Sequence, residues 1–301
     1  MIILGIFILF CFGTALGSFL NNVFIARYDP EQSLFSPAHF MGRSRCPHCK
    51  KTLSASELVP LLSFIFLRGK CASCKKKISF QYPLVEFVSG YIVAGVPFFL
   101  TKFYGISLLA FFSLAAPVWQ YFFLGVWTIV FLGLLVMFLI DMKHYIIPDE
   151  FHVFFIVCGA CIALIYAFHG NDFFPFRESF LQNYALILSP FQGIISRRFF
   201  GAIVGGLFFA VLFALSRGRG MGMGDIKLAV SSGVVFGWPD IGLAIFLSFI
   251  FGGIWALGLF FRGVKTMKDK VPFAPFFVCG LVATVFFGHA LMSWYFSVFR
   301  L

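Results

Sequence analysis

An all-α, polytopic membrane protein of about eight transmembrane helices, with a small cytoplasmic zinc-binding loop, is what the sequence predicts. Three observations predict it. Of 301 residues, 60% are hydrophobic and only 12% charged, against about half and about a quarter in soluble domains. Phe alone occurs 47 times, and a soluble chain could not cover that much apolar surface. The same numbers exclude a disordered chain, which is poor in aromatics and rich in charge. Apolar runs of membrane-crossing length, about 20 residues as a helix, recur throughout. The net charge of +11 gathers in particular loops, as basic residues do on the cytoplasmic side of a membrane. The partner it implies is therefore a lipid bilayer and not nucleic acid.

The runs lie at about 1–25, 83–101, 104–142, 151–168, 199–216, 226–237, 240–261 and 273–299. Residues 1–25 lack a basic start and a small-x-small cleavage signal, so they read as a retained helix. The 104–142 run is too long for one crossing. With 122–142 spanning and 104–120 at the outer surface, ended by Pro117, the cytoplasmic loops hold 18 Lys and Arg against five outside. A crossing at 104–120 weakens that bias. The first arrangement gives eight spans, both termini outside, loop 27–82 inside and 169–198 outside. No internal repeat is evident. The domains expected are 1–26, a first transmembrane helix; 27–82, a cytoplasmic loop; and 83–301, a transmembrane core.

Two aspartates stand at the cytoplasmic edge. Ionisable residues at membrane depth are functional candidates. Asp141 ends the run Val130–Ile140, and Asp225 closes Gly220-Met221-Gly222-Met223-Gly224-Asp225 at the start of the next apolar helix. They are 84 residues apart but on one side at one depth. A carboxylate pair sharing a proton can supply both base and acid, which is aspartic-protease chemistry. The alternatives are an interfacial charge at Asp141 and a helix N-cap at Asp225. Gly222 and Gly224 would let a substrate strand approach without a Cβ clash. Asp149, after Pro148, reads as a helix cap. Glu86 is buried early in a span and either pairs with a base or lines a cavity. Lys227 either supports the Asp225 carboxylate or marks the inner edge.

Four cysteines sit in the long polar loop. Cys46-Pro47-His48-Cys49 and Cys71-Ala72-Ser73-Cys74 are separated by 21 residues. Two C-x-x-C knuckles at such spacing suit a tetrahedral, closed and hence structural Zn²⁺ site. Paired disulfides are the alternative, and a reducing cytoplasm argues against them.

Taken in order, these motifs resemble a known family. Gly17-Ser18-Phe19-Leu20-Asn21 ends the first span and Arg27 follows. Then come Ser44-Arg45-Cys46-Pro47-His48-Cys49, Gly69-Lys70-Cys71-x-x-Cys74, Tyr82-Pro83-Leu84-Val85-Glu86, Ile140-Asp141 with Ile147-Pro148-Asp149, and Gly222-Met223-Gly224-Asp225. The pattern, over nearly the whole chain, resembles the bacterial type IV prepilin peptidases, bifunctional leader peptidase/N-methyltransferases among the G-x-G-D intramembrane aspartic proteases. The resemblance implies an enzyme of the bacterial inner membrane. It would cleave the basic leader of prepilins and pseudopilins after Gly, serving type IV pilus assembly or protein secretion. S-adenosylmethionine would then methylate the new N-terminus. Asp141 and Asp225 match the catalytic pair, and the cysteines match the zinc loop. Asn22, the stretch 102–121 and the long loop 169–198 depart from the family's pattern. No glycine-rich nucleotide turn accompanies the methyl-transfer half. A proton- or ion-coupled transporter using the same carboxylates is the competing reading, although repeated halves, usual in transporters, are missing.

Overall fold

The computed structural model describes residues 2–26, 28, 34, 44–46, 48–191, 193–218, 220–262 and 272–299. Arg27, Arg43, Arg219, Lys265, Lys268, Lys270 and Arg300 of the basic tally lie outside them, as does Pro47. Eleven α-helices occur among the described residues, with no named strand. They are α1 Ile2–Leu20, α2 Leu62–Phe66, α3 Gln81–Tyr104, α4 Leu108–Phe112, α5 Val118–His144, α6 Asp149–His169, α7 Tyr184–Leu188, α8 Ile194–Ser216, α9 Met223–Phe236, α10 Asp240–Phe261 and α11 Ala274–Phe299. Seven helices are long and apolar enough to cross a membrane: α1 (continued to Ile25), α3, α5, α6, α8, α10 and α11.

The eighth apolar run differs from the expectation. It forms α9, of 14 residues, about 21 Å long at 1.5 Å per residue. Gly237, at φ 74°, stops it. Its apolarity reflects burial among neighbouring helices, for Leu228, Ala229, Ser231, Ser232 and Val235 are each at most 1% exposed. The 104–120 stretch is no span either. Gly105, at φ 77°, ends α3, and Ser107 caps the five-residue α4 by accepting the Ala110 N–H.

The chain divides into two compact units, Met1–Val136 and Met137–Leu301. In the first, α1 packs along α3. A Cβ on Gly17 would lie 2.7 Å from Ser89 Oγ and 2.9 Å from Glu86 Cα, and one on Gly13 would lie 2.7 Å from the Ser89 carbonyl oxygen. Small residues four apart are what bring two apolar helices together where lipid gives no hydrophobic drive. After Leu20 the backbone loosens into a π-helical turn, Asn21–Ala26.

In the second unit α9 is central, against α6 and α8. A Cβ on Gly233 would sit 2.6 Å from the backbone of Ala202, so the α8–α9 crossing requires glycine. The buried Arg198 guanidinium closes the far end of α9. Its Nη1 donates to the carbonyls of Val234 and Val235, both at 2.7 Å, and of Gly159 at 3.2 Å. A cation there also suits the negative end of the helix dipole. Asp240, 1% exposed, anchors the polar segment before α8. It accepts from Ser179 Oγ at 2.7 Å and the Phe180 N–H at 3.1 Å.

Gly17→Val should lower the apparent melting temperature in detergent, at a cost of about 1–3 kcal/mol for overpacking. Gly125→Ala, where a Cβ meets nothing within 4 Å, should leave it unchanged or raise it.

Candidate active site

The two aspartates come together in the second unit. Asp141 lies near the C-terminal end of α5 and is 5% exposed. Asp225 is the third residue of α9 and half-buried. The Asp225 carboxylate is within electrostatic reach of Asp141. Each is held by one backbone N–H. Asp141 Oδ2 accepts from Ala274, the first residue of α11, at 3.2 Å. Asp225 Oδ2 accepts from Gly222 at 3.0 Å, turning back over its own helix start. The N-cap is Gly222 and not Asp225, which as the third residue of α9 bonds the N-cap N–H and also lies beside the second carboxylate.

The connection from α5 to α6 closes the arrangement. Tyr145, at φ 57°, donates its N–H to the Asp141 carbonyl at 2.9 Å and turns the chain toward α9. Ile147 then lies where a Cβ on Gly224 would meet it, at 3.6 Å. Asp149 opens α6 and accepts from Lys227 Nζ at 2.7 Å. Lys227 thus ties the α6 start to the α9 start and does not bond the Asp225 carboxylate. Gly222 and Gly224 both have room for a Cβ, with nearest atoms at 3.7 and 3.6 Å, and neither takes a positive φ. The fold itself does not demand glycine at either position.

The first unit holds the cysteine quartet. The Sγ atoms of Cys46, Cys49, Cys71 and Cys74 lie within 4.8 Å of one another, and those of Cys46 and Cys74 are 3.9 Å apart. All four are unbridged. A tetrahedral Zn–S₄ centre with bonds of about 2.3 Å has edges of about 3.8 Å, so the quartet fits a metal ion. Two matching turns build it. Cys46 N–H bonds Lys51 O and Lys50 N–H bonds Cys46 O; Cys71 N–H bonds Lys76 O and Lys75 N–H bonds Cys71 O. Lys50 and Lys75, each directly after a second cysteine, sit at φ 58° and 59°. Arg45 pairs with Thr52, and Lys70 with Lys77. The stretches 45–53 and 70–78 are thus one motif repeated 25 residues on, a repeat the sequence reading missed because the match is only nine residues long.

These turns aim N–H groups at sulfur. The N–H groups of Cys49 and His48 hold the Cys46 thiol below its ordinary value. Those of Cys74 and Ser73 bring Cys71 down to about 6. At Cys74 the Lys76 N–H pulls downward, but burial and the neighbouring sulfurs outweigh it and push the thiol up to about 11. Four clustered sulfurs cannot all ionise without a cation among them, and metal binding would displace that last proton.

Glu86, in α3, is 8% exposed. It accepts the Leu61 N–H at 2.8 Å and the Ser18 hydroxyl. Of the structural acids, Asp240 was absent from the sequence reading. The available signal was an acidic residue just after Trp238-Pro239 at the head of an apolar run.

Two family models match the chain: the bacterial Peptidase A24 N-terminal domain over residues 11–99, and the type IV leader peptidase family over residues 128–257. A Bacillus subtilis (strain 168) protein named prepilin leader peptidase/N-methyltransferase is 32% identical over 96% of both chains. The chain belongs to the type IV leader peptidase family. A relative of the same name from Burkholderia pseudomallei (strain 1026b) is 32% identical over 82% of this chain and 67% of its own length. Another from Aeromonas hydrophila is 26% identical over 97% and 94%. No solved structure matches. The leader-peptidase match takes in both aspartates, and the N-terminal match takes in the quartet and Glu86.

The purified protein should carry one zinc per chain by elemental analysis. Cys46→Ser with Cys71→Ser should abolish it and lower the yield of folded protein; stoichiometric disulfides in protein kept from oxidants would refute the assignment.

Proposed function

We propose that this chain is the prepilin leader peptidase of a bacterial inner membrane, with Asp141 and Asp225 as its catalytic pair. It cuts the basic leader of prepilins and pseudopilins after Gly at the cytoplasmic face. The observation that carries the reading is two carboxylates on different helix ends, within each other's field, each with one backbone N–H bond and oxygens to spare. One carboxylate takes a proton from water as its oxygen adds to the scissile carbonyl. The other, protonated, gives its proton to the departing amine. Lys227 and Asp149 hold the two helix starts in register. Gly222 and Gly224 leave room beside Asp225 for the substrate backbone.

The same enzyme methylates the new N-terminus, as the names of the relatives indicate. S-adenosylmethionine supplies the methyl group when bound. The loop 27–82 is a cytoplasmic structural zinc module between the first span, 1–26, and the catalytic core, 83–301. Cytoplasmic placement draws on the ten Lys and Arg of the loop itself. The transporter reading finds no support in the family matches.

The test is cleavage in membranes of a prepilin bearing a basic leader, Gly, then Phe, with the product N-terminus read by mass. Wild type should give cleavage after Gly and an added methyl mass. Asp141→Asn and Asp225→Asn should each lower cleavage by at least about 10³-fold, as loss of one member of a catalytic set does. Cleavage surviving both changes would mean that other residues do the chemistry.

A further inference from the structure

The polar segment between the first two spans carries an apolar face that the cysteine turns leave uncovered. In α2, Ser63 and Phe64 look inward and line a cavity together with Cys46 and Cys71. Leu62, Ile65 and Phe66 stand at i, i+3 and i+4, on one side of the helix. All three are exposed, Ile65 at 66% and Phe66 at 79%. A joined apolar surface of this kind marks a place of contact with something else. We propose that this face of α2 lies in the headgroup layer of an anionic phospholipid bilayer and anchors the cysteine turns to the membrane that α3 enters.

Continuity with the lipid-facing side of α3 identifies the occupant. The rings of Phe64 and Phe80 meet edge to face, with centroids 6.3 Å apart. Phe80, 68% exposed, stands directly before α3. Leu84, Phe87 and Tyr91 follow it at helical spacing, and all are exposed. One apolar stripe therefore runs from a helix of membrane-crossing length to the side of α2. At 24 residues, α3 is about 36 Å long and outreaches a hydrocarbon layer of about 30 Å. Its first turn, and α2 beside it, then fall at the level of the headgroups.

Charge supplies the second argument. From Leu58 to Val85 the chain holds Arg68, Lys70, Lys75, Lys76 and Lys77 and no Asp or Glu. All five cations are exposed. An apolar face edged by Lys and Arg is the composition of an interfacial anchor for anionic lipid. The same charges disfavour the basic leader of the proposed substrate as its occupant. Backbone bonds carry the anchorage onward. The Gly69 N–H donates to the Phe64 carbonyl at 2.9 Å, and the Ile78 N–H to the Gly69 carbonyl at 2.8 Å. Lipid contact at α2 thus also fixes the turn that bears Cys71 and Cys74.

The experiment puts p-benzoylphenylalanine in place of Phe66, and separately of Ile65, in the full-length protein. Each variant is set in nanodiscs of phosphatidylcholine with or without phosphatidylglycerol, and an unchanged melting temperature checks that it is folded. Irradiation should add phospholipid mass to the peptide that holds the probe. The yield should be at least about fivefold higher with phosphatidylglycerol, the scale of one basic residue's attraction to an anionic leaflet. Arg68→Gln with Lys70→Gln should lower that preference. Equal yields in the two lipids, a preference unmoved by the double change, or a folded variant that captures no lipid would overturn the proposal. A covalent dimer in place of the lipid adduct would overturn it too, and would give the face to a second copy of the chain.

Discussion

Like charges resist being brought together, and the second unit is organised around holding two of them close. Asp141 and Asp225 come from helix ends 84 residues apart in sequence. Their helix ends differ in polarity, the α5 C-terminus disfavouring charge at Asp141 and the α9 N-terminus favouring it at Asp225. Asp225 sits where backbone N–H groups and the positive end of the α9 dipole favour negative charge, and Asp141 is steadied by the first N–H of α11. Neither position would hold if α9 could slide. The glycine crossing with α8 fixes its depth, the Lys227–Asp149 pair fixes its start, and Arg198 fixes its end.

The first unit meets a different constraint, since the polar segment beside α1 and α3 is too short to build its own apolar core. It substitutes local geometry. Two nine-residue turns of the same design each present N–H groups to a leading sulfur, and a shared cation would join them. Glu86 works at the junction of this module with the helices, holding Leu61, itself at φ 61°, above the α1–α3 contact.

Much of this was legible in the sequence, for reasons that differ between elements. The long spans are visible because twenty consecutive apolar residues have few other uses. The aspartates are visible because charge at membrane depth is expensive. α9 was misjudged because apolarity reports burial, and burial in protein and burial in lipid look alike over a dozen residues. Gly237 at its end was the available correction. The knuckle repeat escaped because only the cysteines and lysines match closely, while Thr52 and Lys77 share a backbone role that side chains do not advertise. Asp240 escaped because its partners, Ser179 and Phe180, lie some 60 residues away and pairing at that separation leaves no local pattern.

The shortness of α9 has a consequence for hydration. At about 21 Å the helix is roughly 9 Å shorter than a hydrocarbon layer of about 30 Å. Lipid chains cannot satisfy the N–H groups at its start, and Asp225 accepts only one of them. The Asp225 N–H bonds the Gly222 carbonyl, and those of Met223 and Gly224 call for water beside the carboxylate pair proposed to be catalytic. On the proposed role of the two carboxylates, a truncated helix would bring the reagent along with the catalyst: a geometric deficit that would be a fault in a simple anchor would admit water beside them.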